Sequence, residues 1–366
     1  MNYRSFILSI CCAILLLACG QKSEQPTDAV EVNFHDYVEK PISENGGDYY
    51  SEKQYIVLSS DQKNMMLSHI TNVVLKNDKM YIADSRTRNL IVYDMNGRVI
   101  AKVGNRGRGP GEYITLTGFD VDNNGCIHVI DGNTDRLLRY NDDYQFVDAK
   151  KLPFEVDLIK CMQDGGYLFG LSAWDSSQYG GTRIIRTTQQ LTVLNETGTY
   201  DKKLIDNNIQ FSPFYFIETH DGIFYHMSID DNVYMLDCDG NIKKTYYFNF
   251  GNRRIPMKHR SNLEPFMKSG EIASYQAIIN FAVPWGKWIF GILYDRGDPK
   301  SFVYDTNTNV AYTYAKEEGI YTMISNGYLI MYFPFINGEN LPEDIPDNMH
   351  KHVIDGDMLL CLYKLK

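Results

Sequence analysis

Apolar residues in most of the chain occur in short alternating runs that are separated by polar turns. The stretch 79–104 shows the unit: apolar runs at 80–83 and 90–93 flank a polar turn, and an Asp-Met-Asn-Gly turn precedes a return run at 98–103. Side chains of a β-strand alternate between its two faces, and Asn-Gly between apolar runs is a strong hairpin signal. Each unit therefore predicts about four short antiparallel strands.

This unit recurs along the chain in steps of about 40–70 residues. A single sheet of this kind cannot bury both of its faces, whereas sheets packed around an axis can. The repeat predicts an all-β fold, a six-bladed β-propeller of four-stranded antiparallel blades. The expected blades start near Ile70, Tyr113, Val156, Tyr215, Tyr275 and Tyr321. The expected hairpin residues are Asp94, Asn141, Asn195, Asp237 and Asp305.

The last unit ends at 358–366, before the hairpin that would lead to its outer strand. A strand-like run at 54–60 precedes the first unit and has no partner there. We therefore predict that this N-terminal strand closes the last blade. Two insertions interrupt the repeat: 255–278 has helical spacing over part of its length, and 334–352 is a proline-rich, acidic segment that predicts an exposed loop.

The N-terminus has the pattern of an export signal. Arg4 precedes an apolar run at 6–18, which ends in Leu-Leu-Ala-Cys-Gly with Cys19 as its cysteine. This ending resembles the bacterial lipobox, which implies cleavage before Cys19 and its lipidation; the alternative is an ordinary signal peptide with a chance cysteine. We expect a signal peptide at 1–18, a lipidated Cys19 with a flexible tether to residue 50, and the propeller at 51–366. Within the tether, 31–42 is expected to form a short ordered piece against the domain. Gly20-Gln21-Lys22 follow Cys19, with no aspartate at the second position, where it would retain a lipoprotein in the inner membrane; this favours the outer membrane.

Composition narrows the classes of partner. The 27 Tyr and 18 Phe against 3 Trp suit strands, and the net charge of −10 argues against nucleic acid, which needs a basic face. No CxxC pair occurs, so a zinc site is not expected. Cys126, Cys161, Cys238 and Cys361 are expected as inert core residues, with disulfide pairing in an oxidising compartment left open.

A family resemblance rests on the stretch 72–131. Its motifs are the turn residues Asp84 and Asp131, the strand ending at 91–94 and the glycine-rich link 104–113. It resembles two consecutive blades of NHL-like six-bladed propellers, and more closely the six-bladed propeller lipoproteins of gut Bacteroidetes. The resemblance implies a lipid-anchored propeller and carries no settled activity.

The glycine-rich stretch 102–113 does not match a phosphate-binding loop. It lacks GxxxxGK[ST], Glu112 follows the last glycine, and a strand rather than a helix comes next. We expect a link between blades in which glycines allow positive φ angles. The alternative is a binding role in which Arg106 and Arg108 meet an anionic ligand.

Candidate chemistry is sparse. No GxSxG motif occurs, His128 alternates with apolar neighbours as a core or channel residue would, and the His220, Asp221 and His226 group is a weak metal candidate. An axial calcium ion would need Asp120 or Asp122, and no motif supports one, so we expect no cofactor. The candidate ligand-binding residues are Arg86, Arg106, Arg108, Tyr113, Arg136, Trp174 and Trp285.

Three functions remain open from the sequence. The first is a non-enzymatic, membrane-anchored binding module, a monomeric domain whose loop face meets an envelope protein or a glycan. The second is a hydrolase or lyase with its site at the propeller axis, because propellers also host enzymes. The third is an envelope protein with a purely structural role.

Overall fold

The structure, a computed structural model, describes residues 29–58, 65, 67–200, 215–227, 229–313, 321–333, 344–354 and 356–366. Its strands form six small antiparallel sheets that are arranged as the blades of a propeller. This arrangement confirms the predicted fold. Cys19 and the expected signal peptide lie outside the described residues.

Blades one to three each use four consecutive strands, numbered here from the axis outwards. Blade one comprises Ile70–Lys76, Lys79–Asp84, Asn89–Asp94 and Val99–Lys102. Blade two comprises Leu116–Val121, Ile127–Asp131, Arg136–Tyr140 and Phe146–Lys151. Blade three comprises Val156–Cys161, Tyr167–Leu171, Thr182–Thr187 and Val193–Thr199. The link between blades one and two holds a small parallel pair, Asn105–Arg106 with Glu112–Tyr113.

Blades four and five carry a fifth, parallel strand at the outer edge. Blade four comprises Ile217–Glu218, Ile223–His226, Asn232–Leu236 and Ile242–Asn249, with Val30–Asn33 added. Blade five comprises Gln276–Trp285, Trp288–Asp295, Asp298–Asp305 and Val310–Thr313, with Val38–Pro41 added. The segment 31–42 therefore packs on the domain, and the first strand among the described residues begins at Val30, within the stretch assigned to the tether.

Blade six is closed by the N-terminal strand. It comprises Tyr321–Ser325, Tyr328–Phe333 and Met358–Leu365, and its outermost strand is Tyr50–Leu58. That strand runs antiparallel to Met358–Leu365 with Ile56 opposite Leu360. The predicted closure is confirmed, although the strand begins four residues earlier than expected and residues 59–60 lie outside the described residues.

The two insertions differ in kind. Between blades four and five, the helices Met257–Arg260 and Leu263–Ser269 and the 3₁₀ turns Gly251–Arg253 and Glu271–Ser274 confirm the helical spacing. Another 3₁₀ turn, Ile42–Asn45, precedes the closing strand. The blade-six insertion, predicted as a loop, includes a helix at Asp347–Ile354, while residues 334–343 lie outside the described residues.

Buried aspartates tie the second strand of a blade to the start of its inner strand. Asp84 accepts hydrogen bonds from the backbone N–H groups of Ser68 and His69, and Asp131 accepts them from Ile114 and Thr115. Both carboxylates are fully buried, where an unsatisfied charge would be costly. The turn residues that carried the family resemblance thus have a structural role.

The predicted hairpin residues lie at turns in most blades, but the prediction is wrong in blade three. Asp94 accepts hydrogen bonds from the N–H groups of Asn96 and Arg98, as expected of a turn aspartate. Asn195 instead lies inside the outer strand Val193–Thr199. The turn comes earlier, where the Thr188 hydroxyl accepts hydrogen bonds from the backbone and Leu191 has a φ of 68°. The sequence signal failed there because threonine and leucine occupy the positions where Asx and glycine usually mark such a turn.

The propeller has two faces, which we name by their connections. The hairpin face carries the turns between first and second strands, at 77–78, 122–126, 162–166, 219–222, 286–287 and 326–327. The crossover face carries the turns between second and third strands and the links between blades. These faces decide which loops can meet one ligand.

Candidate functional site

A cavity of about 310 Å³ lies on the propeller axis, and every blade contributes to its wall. The wall consists of the ends of the inner strands next to the hairpin face, together with the adjoining turn residues. The inner strands bring one polar residue each to this end in several blades: Lys76, Asp120, Lys160, Glu218 and Ser325. Since all six inner strands end around one axis, residues far apart in the chain meet here.

Lys160 is the central charge of this axial cavity. Its ammonium lies 3.2 Å from a carboxylate oxygen of Asp120 and 2.8 Å from one of Glu218. The Lys160 side chain is only 12% exposed and that of Asp120 6%, whereas that of Glu218 is 51% exposed. Burial works to lower the pKa of Lys160, but the two carboxylates outweigh it and raise this pKa above its ordinary value. Lys160 therefore stays cationic.

Asp120 has a second partner besides Lys160. Its oxygen that faces Lys160 also accepts a hydrogen bond of 2.7 Å from the backbone N–H of Cys161. These partners occupy one oxygen of the carboxylate that an axial calcium ion would need. Among the described residues, no group of three or more His, Cys, Asp or Glu side chains is arranged to hold a metal ion. The expectation of no cofactor stays a prediction.

Trp285 forms the aromatic part of the axial cavity wall. It ends the inner strand of blade five and is half-buried. Its indole N–H donates a hydrogen bond of 2.8 Å to the carbonyl oxygen of Lys366, and the ring of His220 meets it edge-on with centroids 5.0 Å apart. These contacts satisfy the polar edge of the indole and hold the ring in place.

A second cavity of about 510 Å³ lies beside the first, between blades three and four on the hairpin face. The two cavities share Lys160, Glu218, Thr219 and His220 as a common wall. The far side of this groove is formed by the blade-four hairpin that contains Cys238. We call it the blade three–four groove.

Arg186 contacts both blades that form this groove. It is buried, its Nε donates to the carbonyl of Cys238 at 3.0 Å, and one terminal nitrogen lies 2.6 Å from Asp164. The side chain thus links the two blades that form the groove. Removing Asp164 is expected to destabilise the protein, because it would leave the buried Arg186 charge without its carboxylate partner.

Among the predicted ligand-binding residues, only Trp285 reaches the axial cavity. Arg86 and Arg108 are exposed on loops of the crossover face, and Arg106 is exposed in the short strand Asn105–Arg106 of the same face. Trp174 lies on the same face with 45% of its surface exposed. The structure therefore divides the predicted set between opposite faces of the propeller.

Two predicted ligand residues have structural contacts. Tyr113 is fully buried, and its hydroxyl donates to the carbonyl of Val103 at 3.1 Å, so it is a core residue and not a ligand contact. Arg136 donates to the carbonyl of Glu112 at 3.1 Å and lies 3.3 Å from Asp131. Arg136 thus fastens the glycine-rich link to blade two, whereas the Tyr113 hydroxyl bonds back to the end of blade one.

The glycine-rich link itself is packed as an inter-blade connection. Gly104 has a φ of 63°, and a Cβ there would lie 2.6 Å from the hydroxyl of Tyr140. Gly111 has a φ of 71°, and a Cβ there would lie 2.8 Å from Phe146. Both positions need glycine for conformation and for space, which explains the motif without a bound phosphate.

The histidines and cysteines offer little reactive chemistry. His128 is buried, with its ring nitrogens 3.2 Å from Asp122 and 3.2 Å from the hydroxyl of Tyr167. His226 is also buried, with Nε2 3.0 Å from the carbonyl of Asp230. Cys126, Cys161, Cys238 and Cys361 are all free thiols in the structure. Cys361 is buried and Cys126 and Cys161 are partly buried, but Cys238 is exposed, so the expected core position is wrong for Cys238. Burial raises the pKa of the Cys161 thiol well above its ordinary value, so it stays protonated.

Lys160, Glu218 and His220 were not among the residues predicted to bind a ligand at the axis. One signal was present: Lys160 and Asp120 stand near the ends of otherwise largely apolar inner strands, where a buried charge needs a partner. The pairing partner itself lies in another blade, so the local pattern does not reveal it.

Comparisons with known proteins agree with this architecture. The profile of the family described as Domain of unknown function (DUF4934) matches residues 30–353. A search of curated proteins returned no match. Among the described residues, no helix is long and apolar enough to cross a membrane.

Two solved Bacteroides structures show the same fold at low identity. A protein of Bacteroides fragilis NCTC 9343, named as an inferred exported protein, is 18% identical with a TM-score of 0.71, over 92% of this chain and 99% of that one. A DUF4221 family member from Bacteroides vulgatus ATCC 8482 is 9% identical with a TM-score of 0.50, over 87% and 97%. A catalytically inactive virginiamycin B lyase of Staphylococcus aureus is 11% identical with a TM-score of 0.47, over 85% and 99%, and carries no argument about activity.

Proposed function

The chain belongs to the family described as Domain of unknown function (DUF4934), and we propose that it is a non-enzymatic, lipid-anchored binding protein of the bacterial envelope whose axial cavity holds part of a glycan. One observation carries this proposal. An aromatic ring, two carboxylates and an ammonium group converge on a cavity at the propeller axis.

The residue types suit a sugar. A pyranose ring has an apolar face that packs on an aromatic side chain and a rim of hydroxyl groups that need polar partners. Trp285 supplies the aromatic surface, while Glu218 accepts and Lys160 donates hydrogen bonds. Ligand pockets commonly combine an aromatic wall with a few fixed polar groups of this kind.

The ionisation of the site favours binding over catalysis. A general base or acid works best when its pKa lies near the working pH. The pKa of Lys160 is raised further from neutrality by Asp120 and Glu218 in spite of its burial, and burial keeps the nearby Cys161 thiol protonated. Neither group is poised to transfer a proton or to attack a substrate.

The envelope location rests on the N-terminal sequence. The apolar run at 6–18 followed by Cys19 is the pattern of a lipidated export signal, and stable anchoring needs more than one acyl chain. The Bacteroides fragilis protein of the same fold is itself named as an inferred exported protein, which supports export of this chain. In this proposal the anchor holds the ring at the outer membrane.

The test is binding of the mature protein to an array of neutral, amino-sugar and uronic-acid oligosaccharides, followed by calorimetry with the tightest binder. Trp285→Ala should abolish binding, because it removes the aromatic wall. Trp174→Ala is the matched control, since this tryptophan is exposed on the opposite face, and it should bind like the wild type.

Three outcomes would overturn the proposal. The first is that no oligosaccharide binds, which would favour an envelope protein as the partner. The second is that both tryptophan variants bind like the wild type. The third is that the protein shortens the bound oligosaccharide during incubation, which would establish the hydrolase or lyase alternative.

A further inference from the structure

We propose that the axial cavity and the blade three–four groove form one continuous binding path, so that the ligand is an uncharged or amino-sugar oligosaccharide with one end at the axis. This inference rests on the proposed glycan function and deepens it. Its first support is the common wall, because Lys160, Glu218, Thr219 and His220 line both cavities. A ligand that contacts these residues from the axis is already at the edge of the groove.

The volumes of the two cavities favour an oligosaccharide over a single sugar ring as the ligand. The axial cavity of about 310 Å³ is at the lower end of the range in which proteins bind small molecules, roughly 300–1,000 Å³. The groove adds about 510 Å³ directly beside it. A ligand that used only the axial cavity would leave the larger space unfilled.

The junction between the two spaces has the chemistry to hold a linear sugar chain. Glu218 pairs with Lys160, yet half of its side chain stays exposed. Its carboxylate is therefore accessible to hydroxyl groups in either space. The backbone turn that follows, 219–222, forms the rim over which the chain would leave the axis.

Contacts within the protein hold the two walls of the groove at a fixed spacing, so the groove forms without a ligand. Arg186 joins Asp164 in the blade-three hairpin to the Cys238 carbonyl in the blade-four hairpin. Since this arginine is buried and paired, it holds the spacing of the two blades and is not available to bind an anion.

The charge of the groove argues against acidic sugars. Five carboxylates, those of Asp164, Glu218, Asp221, Asp237 and Asp239, line it against three cations, those of Lys160, Arg186 and Lys243, a net of −2 in the described wall. Lys160 and Arg186 already have carboxylate partners. A uronic acid would meet an excess of like charge, whereas neutral or amino sugars would not.

The test measures affinity against chain length, with the monosaccharide to tetrasaccharide series of the tightest neutral or amino-sugar binder. The wild type should bind the tetrasaccharide at least tenfold more tightly than the monosaccharide. Cys238→Tyr, which places a ring in the groove, should reduce tetrasaccharide affinity to the monosaccharide level and leave monosaccharide affinity unchanged. Asp142→Tyr, at the equivalent position of the blade-two hairpin, is the matched control and should behave like the wild type.

Different outcomes would contradict the continuous binding path and the axial glycan site. Equal affinity for all chain lengths, or an unchanged length dependence in Cys238→Tyr, would overturn the continuous path while the loss of binding in Trp285→Ala would still support the axial site. Tighter binding of a uronic-acid tetrasaccharide than of its neutral counterpart would overturn the assignment of an uncharged or amino-sugar chain.

Discussion

The strand Tyr50–Leu58 closes the ring, and truncating its buried face tests how much the domain depends on that closure. Ile56 is 2% exposed and belongs to a core that includes Leu360 of the neighbouring strand and Ile82 of blade one. The blade-one hairpin also packs on this strand, since a Cβ on Gly97 would lie 1.9 Å from the carbonyl oxygen of Val57. The strand therefore joins blade six to blade one.

The expected effect of Ile56→Ala follows from this burial. Replacing a buried isoleucine by alanine costs about 2–5 kcal/mol, because apolar contacts are lost and a cavity remains. Gln54→Ala is the control on the same strand, where the side chain is exposed and the expected change is within about 0.5 kcal/mol.

The measurement is thermal and urea unfolding of both variants, monitored by circular dichroism. Because the closing strand contacts two blades, Ile56→Ala should lower the midpoint of the main transition by several degrees. An unchanged main transition, or a separate early transition that leaves the rest intact, would refute the closure argument, as would equal midpoints for the two variants.

Three further predictions concern a partly buried carboxylate, a turn aspartate and the anchor. Burial, with a smaller effect of Glu155, raises the pKa of Asp157 from 3.8 to about 6; the proton that stabilises the fold below pH 4 is therefore lost as the pH rises through 6. Asp157→Asn should raise the free energy of unfolding by about 1–3 kcal/mol at pH 8 and change it little at pH 4, and equal effects at both pH values would contradict this. Asp131→Ala should lower the free energy of unfolding by about 2–4 kcal/mol in urea, because it removes the buried acceptor of the Ile114 and Thr115 N–H groups, whereas Asp143→Ala at an exposed position should not. Cys19→Ser should abolish incorporation of labelled palmitate and release the protein from the membrane fraction, and continued labelling would refute lipidation at this residue.

Much of the fold could be predicted from the sequence because its determinants are local. The alternation of apolar residues and the Asx-Gly turns act within a few residues of one another, so the blades and their hairpins follow from short stretches such as 79–104. The closing strand was also predictable, because the last unit lacks its fourth strand and 54–60 is an unpaired run. Asn195 was misassigned where the turn lacked the usual residues.

The tertiary structure alone decided the rest. The parallel fifth strands on blades four and five pair residues more than two hundred positions apart, and no local pattern specifies such a register. No local pattern specifies the axial site either, in which Lys160 pairs with Asp120 and Glu218 of the neighbouring blades. The sequence by itself determined which segments are strands and where they turn, because those choices depend on neighbouring residues. Which charges meet at the axis was decided only by the packing of neighbouring blades, because it brings together the inner-strand ends of blades two, three and four.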